Sequence, residues 1–280
     1  MENGIMNEAV MSLGVKKFFA LFSGGHDSLC ATHIAMSHPL CNDVVHINTG
    51  IGVEVTRQFV RDVCKAQGWN LIEIRAKEDC GQDYEHLVME QGFPGPFHHR
   101  KMYNRLKERC LNYLRRHYTT KPDRFGLITG VRSEESSRRM RHVERIQREG
   151  RRVWVAVCHD WNKQRQSDYM NKHNLPRNPV KDKMCMSGEC LCGAFAQKNE
   201  LNEWVHFFPN DPGIKKLLSI REKVLAKFPW DWDDERPPAW WIEKNRGQTM
   251  MFPDEEMKQE HLCVSCNLRF SQNPAEGVML

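Results

Sequence analysis

KFFALFSGGHDSLCATHIAM, Lys17 to Met36, is the stretch whose reading decides the fold of this chain. Lys17–Phe22 is a short apolar run suited to one buried strand, and SLCATHIAM has a helical pattern. Between them stands SGGHDS, Ser23 to Ser28. A strand that turns through this loop into a helix gathers backbone N–H groups at the helix N-terminus, where unpaired donors and the dipole favour an anion. Gly24 and Gly25 permit positive φ and close approach to phosphate oxygens, Ser23 and Ser28 add hydroxyl donors, and His26 fills the middle of the loop. Asp27 is a hard oxygen donor that could hold Mg²⁺ on the phosphates. The loop lacks a GK step followed by Ser or Thr and lacks GxGxxG, so it is neither a Walker nor a Rossmann loop. The competing reading is a Gly turn capped by Asp27 or Ser28, and the strand-loop-helix setting argues for the anion site.

Outward from this loop, the first half alternates strand and helix signals. Asp43–Asn48, Asn70–Ala76, Phe125–Thr129 and Val153–Val157 are further apolar, β-branched runs. Helical stretches separate them, among them EVTRQFVRDVCKAQ and the long basic KMYNRLKERCLNYLRRH. That order predicts βαβ units and a mostly parallel, doubly wound α/β sheet, with ligands at the carboxyl ends of its strands. After Asp160 the pattern changes to KQRQSDYMNKHN, LPRNPVKDK, MCMSGECLCGAF, a helical stretch from Asp211 to Phe228, and WDWDDERPPAWW. Pro237 and Pro238 stop any regular helix there, and the Trp residues are expected to cap a core. The organisation expected is an N-terminal extension (1–16), a nucleotide-binding domain (17–180) and an irregular helical, Cys-rich C-terminal region (181–280).

Apolar residues make up 40% and charged residues 28% of the 280 residues, the balance of a soluble globular enzyme with a sizeable core. The N-terminus carries Glu2 and Glu8 where a signal peptide wants basic residues, and no run of about 20 apolar residues occurs. A cytoplasmic protein without a membrane span is expected. The net charge of +5 is modest but uneven. Nine Lys/Arg between Gly95 and Arg124 face only Glu108 and Asp123, and Arg132 to Arg152 holds eight Arg against four Glu. Both blocks suit phosphate, of a nucleotide or of DNA or tRNA, or else are solvated helix faces.

Of the eleven Cys, Cys30, Cys41, Cys64, Cys80, Cys110 and Cys158 are scattered and read as small buried hydrophobes. The other five form two groups, Cys185, Cys190 and Cys192, then Cys263 and Cys266. Five thiols in two short groups can converge on one metal or cluster. Cys-x-Cys is an unusual zinc spacing, which favours an iron-sulfur cluster, with zinc the alternative and unconnected thiols the third reading.

SGGHDS at the end of a first strand resembles the PP-loop of the ATP pyrophosphatase superfamily, the adenine nucleotide alpha hydrolase-like fold. Further segments resemble its phosphoadenosine-phosphosulfate (PAPS) reductase branch. VVHINTGIGVEVTRQFV is similar to that branch's second strand and helix, with Asn48-Thr49-Gly50 where DTG is usual. HHRKMYNRLKERCL resembles the helix bearing Arg100 and Lys101, and TGVRSEESSRR the element that maps Gly130, Arg132, Glu134, Ser136 and Arg139. HDWNKQRQSDYMNKHNLPRNPVKDK resembles the segment that closes the domain. The resemblance covers Lys17 to Ala196 and implies an adenine nucleotide site made by Ser23, Gly24, Gly25, His26, Asp27, Ser28, Asn48, Thr49, Gly50, Arg100, Lys101, Gly130, Arg132, Ser136 and Arg139. Asp27, Arg132 and Arg139 would take the catalytic roles, the arginines by bidentate contacts to phosphate or sulfate.

The resemblance implies two chemistries. One cleaves ATP between the α and β phosphates to activate an acceptor, such as a nucleic acid, for sulfur transfer from a sulfur donor. The other reduces PAPS or adenylyl sulfate with a Cys nucleophile and a thioredoxin-like reductant. The usual ECGxH is absent, HLCVSCNLRF standing near the C-terminus, so Cys263 or Cys266 would have to be the nucleophile. Pro96 and Phe97 replace the Cys pair of iron-sulfur adenylyl-sulfate reductases. GECLCGAF resembles the Cys-rich segment of members acting in DNA phosphorothioation, where a cluster is expected. A third reading keeps the fold as a non-catalytic nucleic-acid-binding module, against which the carboxylate of the intact loop argues.

Overall fold

A computed structural model describes residues 4–133, 144–234 and 241. Its centre is a sheet of six strands among the described residues: β1 (Val15–Leu21), β2 (Cys41–Asn48), β3 (Asn70–Arg75), β4 (Arg124–Thr129), β5 (Ile146–Glu149) and β6 (Arg152–Ala156). Their spatial order is β3-β2-β1-β4-β6-β5. Every neighbouring pair is parallel except β5 and β6. The mostly parallel α/β sheet read from the sequence is therefore present. The chain winds from β1 outward through β2 to β3, then returns to the other side of β1 with β4. The strand order reverses between β1 and β4, and the crevice at their carboxyl ends is the place such sheets bind ligands.

Apolar side chains on the central strands alternate between two cores. Phe19, Leu21, Val45, Ile47, Ile72, Ile74, Phe125, Leu127 and Trp154 point to one face; Phe18, Ala20, Phe22, Val44, Ile128, Val153 and Val155 point to the other. A strand covered on both faces reads as an unbroken apolar run, which is why KFFALF shows no period of two. The second face is covered by α1 (Gly4–Leu13), α2 (His26–Met36) and α3 (Glu54–Ala66), which contribute Met6, Ala9, Leu29, Ile34, Val60 and Val63. The first is covered by α4 (Tyr84–Gln91) and by a helical run made of α5 (His99–Tyr103), a π-helical turn (Asn104–Glu108) and α6 (Arg109–Tyr118).

The chain after β6 returns along α7 (Lys163–Lys172), α8 (Pro179–Met184), α9 (Glu200–Phe207) and α10 (Pro212–Leu225). Met184, Met186, Leu191, Cys192, Trp204, Leu217, Trp230 and Trp232 pack into the same core as Phe19 and Ile74. Trp230 donates to the Phe93 carbonyl at 2.9 Å and Trp232 to the Leu191 carbonyl at 2.9 Å, so both indoles cap the core as expected. Trp241 packs on Trp230, with ring centroids 4.8 Å apart. No helix among the described residues is long and apolar enough to cross a membrane.

The sequence reading omitted β5, a polar four-residue edge strand whose hairpin to β6 turns at Gly150, φ +61°. It also omitted α1, α4, α8 and α9, all of ten residues or fewer. The long basic helix was foreseen, but not its π-helical turn.

Candidate functional site at the carboxyl ends of β1 and β4

The Gly loop leaves β1 and enters α2 at the crevice. Gly25 is the N-cap of α2, and no side chain caps the helix. The first-turn N–H groups are orphans of the kind that bind anions. Gly24 has φ +81°, whereas Gly25 has φ −79°, so only one of the two glycines needs the left-handed region. A Cβ on Gly24 would come within 2.6 Å of the Thr56 methyl. Ser28 donates to the Gly25 carbonyl at 2.8 Å and accepts from the Ser23 N–H at 3.3 Å, and the two hydroxyls lie 3.1 Å apart. The loop hydroxyls that the sequence assigned to a ligand are thus also what holds the loop closed.

The segment after β4 packs directly on this loop. Gly130 leaves no room for a side chain, because a Cβ there would strike the Asp27 carbonyl and approach Ser28 N at 2.5 Å. Gly130→Ala is expected to cost about 1–3 kcal/mol through this overpacking and to weaken nucleotide binding by moving the α2 N-terminus. Thermal denaturation with ATP titration calorimetry checks it; wild-type values for both would show that the close approach is dispensable. Arg132 reaches back to Asp27 through Nε, and Gln166 on α7 donates to the same carboxylate oxygen at 2.5 Å. Asp27 and Arg132 are therefore brought together as a nearly buried pair. Glu134, Ser136 and Arg139 lie outside the described residues.

His26, the first residue of α2, is buried, and its Nε2 accepts the Asn178 N–H at 3.3 Å. Burial, with the Arg177 guanidinium nearby, lowers its pKa to about 4, so the imidazole is neutral and its Nδ1 carries the proton. Asn178 joins the parts of the crevice. Fully buried, it donates from Nδ2 to the Gly24 carbonyl at 2.9 Å and to Thr56 Oγ1 at 3.2 Å. Its Oδ1 accepts the Val180 N–H at 2.9 Å, capping α8 with Pro179 in the first turn. The Asn-Pro of LPRNPVKDK signalled the cap, but nothing local signalled the bonds to the Gly loop.

The loop after β2 faces a different partner. Asn48 accepts the Gly50 N–H at 3.0 Å and donates to Glu73 at 2.8 Å, which shapes the turn with both ends of its amide. Thr49 is fully buried, and its hydroxyl reaches the Ile51 and Glu189 carbonyls at 3.2 and 3.4 Å. Gly50 takes φ +76° and its carbonyl accepts Lys216 at 2.8 Å. This loop is laced to the Cys-rich segment: Leu191 N–H bonds to the Ile51 carbonyl at 2.7 Å, Val53 N–H to the Gly188 carbonyl at 2.8 Å, and Thr56 to the Ser187 carbonyl. Gly52 has no room for a Cβ against the Glu189 carbonyl. The Cys-rich segment is thereby held beside the loop after β2 and the start of α3.

Cys190 and Cys192 stand together there. The hydrogen bond between the two thiols, the Lys107 ammonium and the Thr49 hydroxyl lower the Cys190 pKa below the usual thiol range, against the opposing effects of burial and of the Glu189 carboxylate. Lys107 comes from the π-helical turn and forms a buried ion pair with Glu189. Such turns recur at functional sites because they re-aim one side chain inward. Neither residue of this pair was singled out from the sequence. Cys185 is elsewhere, an exposed residue with φ +57° that ends α8, its carbonyl accepting Lys181 at 2.7 Å. Among the described residues no three His, Cys, Asp or Glu side chains converge on a metal position. Among the described residues the structure brings together two of the five thiols, Cys190 and Cys192; Cys263 and Cys266 lie outside the described residues.

The basic blocks divide. Arg100 and Lys101 sit on α5, toward the carboxyl end of the sheet, where Lys101 donates to Gln91 at 2.5 Å and His99 packs on Phe195 with centroids 4.6 Å apart. Arg115, Arg116 and Lys121 lie toward the opposite end, since α6 leads into the start of β4. Arg152 is bound to Glu108 at 2.7 and 2.9 Å, and Arg151 to the Thr120 carbonyl at 2.5 Å, so these two serve the scaffold.

Residues 17–192 match the family model of the phosphoadenosine phosphosulfate reductase domain. No curated protein matches the sequence. Among solved structures, the chain is similar to phosphoadenylyl-sulfate reductase from Candida auris, at 15% identity over 65% of this chain and 83% of that one, with a TM-score of 0.48. It is also similar to NMN synthetase from Francisella tularensis, at 14% identity over 85% and 96% of the two chains, TM-score 0.49. A U34-tRNA thiolase from Methanococcus maripaludis, solved with its 4Fe-4S cluster, aligns at 13% identity over 91% of each chain, TM-score 0.39.

Proposed function

Because the chain belongs to the phosphoadenosine phosphosulfate reductase domain family, we propose that it is an enzyme that binds ATP or a related adenylyl nucleotide and acts at the α-phosphate during sulfur transfer. The observation that carries this reading is the meeting, at the switch point of the sheet, of the uncapped α2 N-terminus with Gly130 and Arg132 from the segment after β4. The α2 N–H groups would hold the phosphates, and Arg132 would stabilise charge that develops at phosphorus, joined by Arg139. Asn48, Thr49 and Gly50 border the crevice where ribose or base would lie, and Arg100 and Lys101 would extend the positive rim.

Asp27 is the hard-oxygen donor of the loop and fits Mg²⁺, which would neutralise phosphate charge when bound. Cys190 and Cys192 fit two soft-donor positions of an iron-sulfur cluster or zinc site, and Cys263 and Cys266 would supply two more. Such a group would supply or relay sulfur or electrons beside the nucleotide. The acceptor would be a polyanion such as DNA or tRNA, drawn by the exposed part of the basic blocks.

A second reading is favoured by one observation, the placing of Cys190 against Cys192 with the Lys107 ammonium and the Thr49 hydroxyl beside it, which favours its thiolate. A thiol so poised is a nucleophile of the kind that a sulfonucleotide reductase needs, with Cys190 taking the place expected of Cys263 or Cys266 and a thioredoxin-like protein as reductant.

One experiment separates them. Anaerobically purified protein is assayed for iron and zinc, then given ATP, PAPS or adenylyl sulfate, with products identified. Pyrophosphate from ATP with bound metal supports the first reading; sulfite from a sulfonucleotide by metal-free protein supports the second. Failure to bind any of the three nucleotides would sink both.

A further inference from the structure

Two cysteines that the nucleotide crevice does not use stand against each other. Cys80 lies in the turn that follows β3 and Cys110 in the first turn of α6, and their sulfurs are 3.7 Å apart. Cys110 is fully buried and Cys80 half-buried.

The elements around them are tied by other bonds. In the turn, the Asp79 N–H bonds to the Arg75 carbonyl at 2.9 Å, and the Asp79 carboxylate accepts the Arg75 N–H at 2.7 Å. Gln82 donates to the Cys80 and Gly81 carbonyls at 3.2 and 3.0 Å and accepts Arg105 from the π-helical turn at 3.4 Å. On the helix, the Cys110 thiol reaches the Leu106 carbonyl at 3.3 Å. The sulfurs therefore face each other across two elements already fastened together.

We infer that Cys80 and Cys110 form a modification site, oxidised to an intramolecular disulfide by a low-molecular-weight disulfide such as glutathione disulfide. Cys80, the reachable thiol, attacks as thiolate, bonds to one glutathione sulfur and releases the other glutathione. The Cys110 thiolate then attacks the Cys80 sulfur, forms the Cys80–Cys110 bond and releases the second glutathione. Two electrons and two thiol protons pass from the protein to glutathione disulfide, giving two glutathiones. The sulfurs must close from 3.7 Å to about 2 Å. Burial raises the pKa of both thiols, which makes the exchange slow. The bridge would tie the turn after β3 to the helical run that carries Lys107 three residues earlier, and so link thiol redox state to the Lys107–Glu189 pair beside the Cys-rich segment.

The test uses reduced full-length protein incubated with excess glutathione disulfide, alkylated, digested without reductant and mapped by mass spectrometry. A peptide pair joined through Cys80 and Cys110 is expected, lost on treatment with dithiothreitol. In Cys110→Ser, glutathione should remain on Cys80; in Cys80→Ser, which alters only the half-buried residue, Cys110 should stay reduced. Oxidised wild type should unfold at a higher temperature than reduced, a difference that both variants lose. The inference is overturned if no joined pair forms by the time exposed Cys185 is fully modified, whether Cys80 then carries glutathione, remains reduced, or is joined to another cysteine.

Discussion

Replacing Lys107 by Met is expected to lower the stability of the fold by about 3–5 kcal/mol, the cost of leaving one partner of a buried ion pair uncompensated. The side chains of Lys107 and Glu189 are 4% and 7% exposed, and the ammonium bonds directly to the carboxylate. With Lys107 gone, the Glu189 carboxylate would stay buried beside the Thr49 loop, or would pull the Cys-rich segment toward water to regain hydration. Removing both charges should restore most of the loss, because buried pairs replaced by apolar residues of similar volume are often neutral. Urea unfolding of wild type, Lys107→Met, Glu189→Met and the double variant closes the cycle. A single-variant loss below about 1 kcal/mol, the scale of an exposed pair, would show that the pair is hydrated and that the π-helical turn does not serve to bury it.

Asn178→Ala is expected to cost about 2–4 kcal/mol and to weaken nucleotide binding at least tenfold. Orphaned buried hydrogen-bonding groups cost about 1–3 kcal/mol each, and a lost N-cap about 1 kcal/mol, with the effects overlapping. Asn178 holds the Gly24 carbonyl, Thr56 and the α8 N-terminus at once, so its loss frees the Gly loop from the segment that closes over it. Asn178→Asp keeps the capping oxygen but loses the donor to Gly24, and should retain α8 while still weakening nucleotide. Unfolding curves and ATP titrations of the two variants measure both effects. If Asn178→Ala bound ATP as wild type does while being destabilised, Asn178 would matter to the scaffold and not to the shape of the loop.

The sequence by itself determined what is local or periodic. β1, the Gly loop and α2 were legible because an apolar run, a Gly pair and a helix pattern lie within about one βα unit. The parallel sheet followed from alternation of such units, and the crevice from the rule that places ligands at strand carboxyl ends. β5 was illegible because a short edge strand carries little apolar signal: Ile146 to Glu149 holds one apolar residue in four.

Asn48, read from the sequence as a ligand contact, also bonds to Gly50 and Glu73, and an Asn at a strand end has the same sequence signature whether its amide faces a ligand or its own turn. By spacing the five cysteines read as two groups able to converge on one cluster, and only packing could separate exposed Cys185 from the Cys190 and Cys192 pair.

Only the tertiary structure decided the pairings of Lys107 with Glu189, Asn178 with Gly24, Gln166 with Asp27 and Cys80 with Cys110. These join residues 30 to 154 positions apart. The energy of a buried hydrogen bond or ion pair depends on distance, orientation and exclusion of water, and none of these is a property of residue type or spacing.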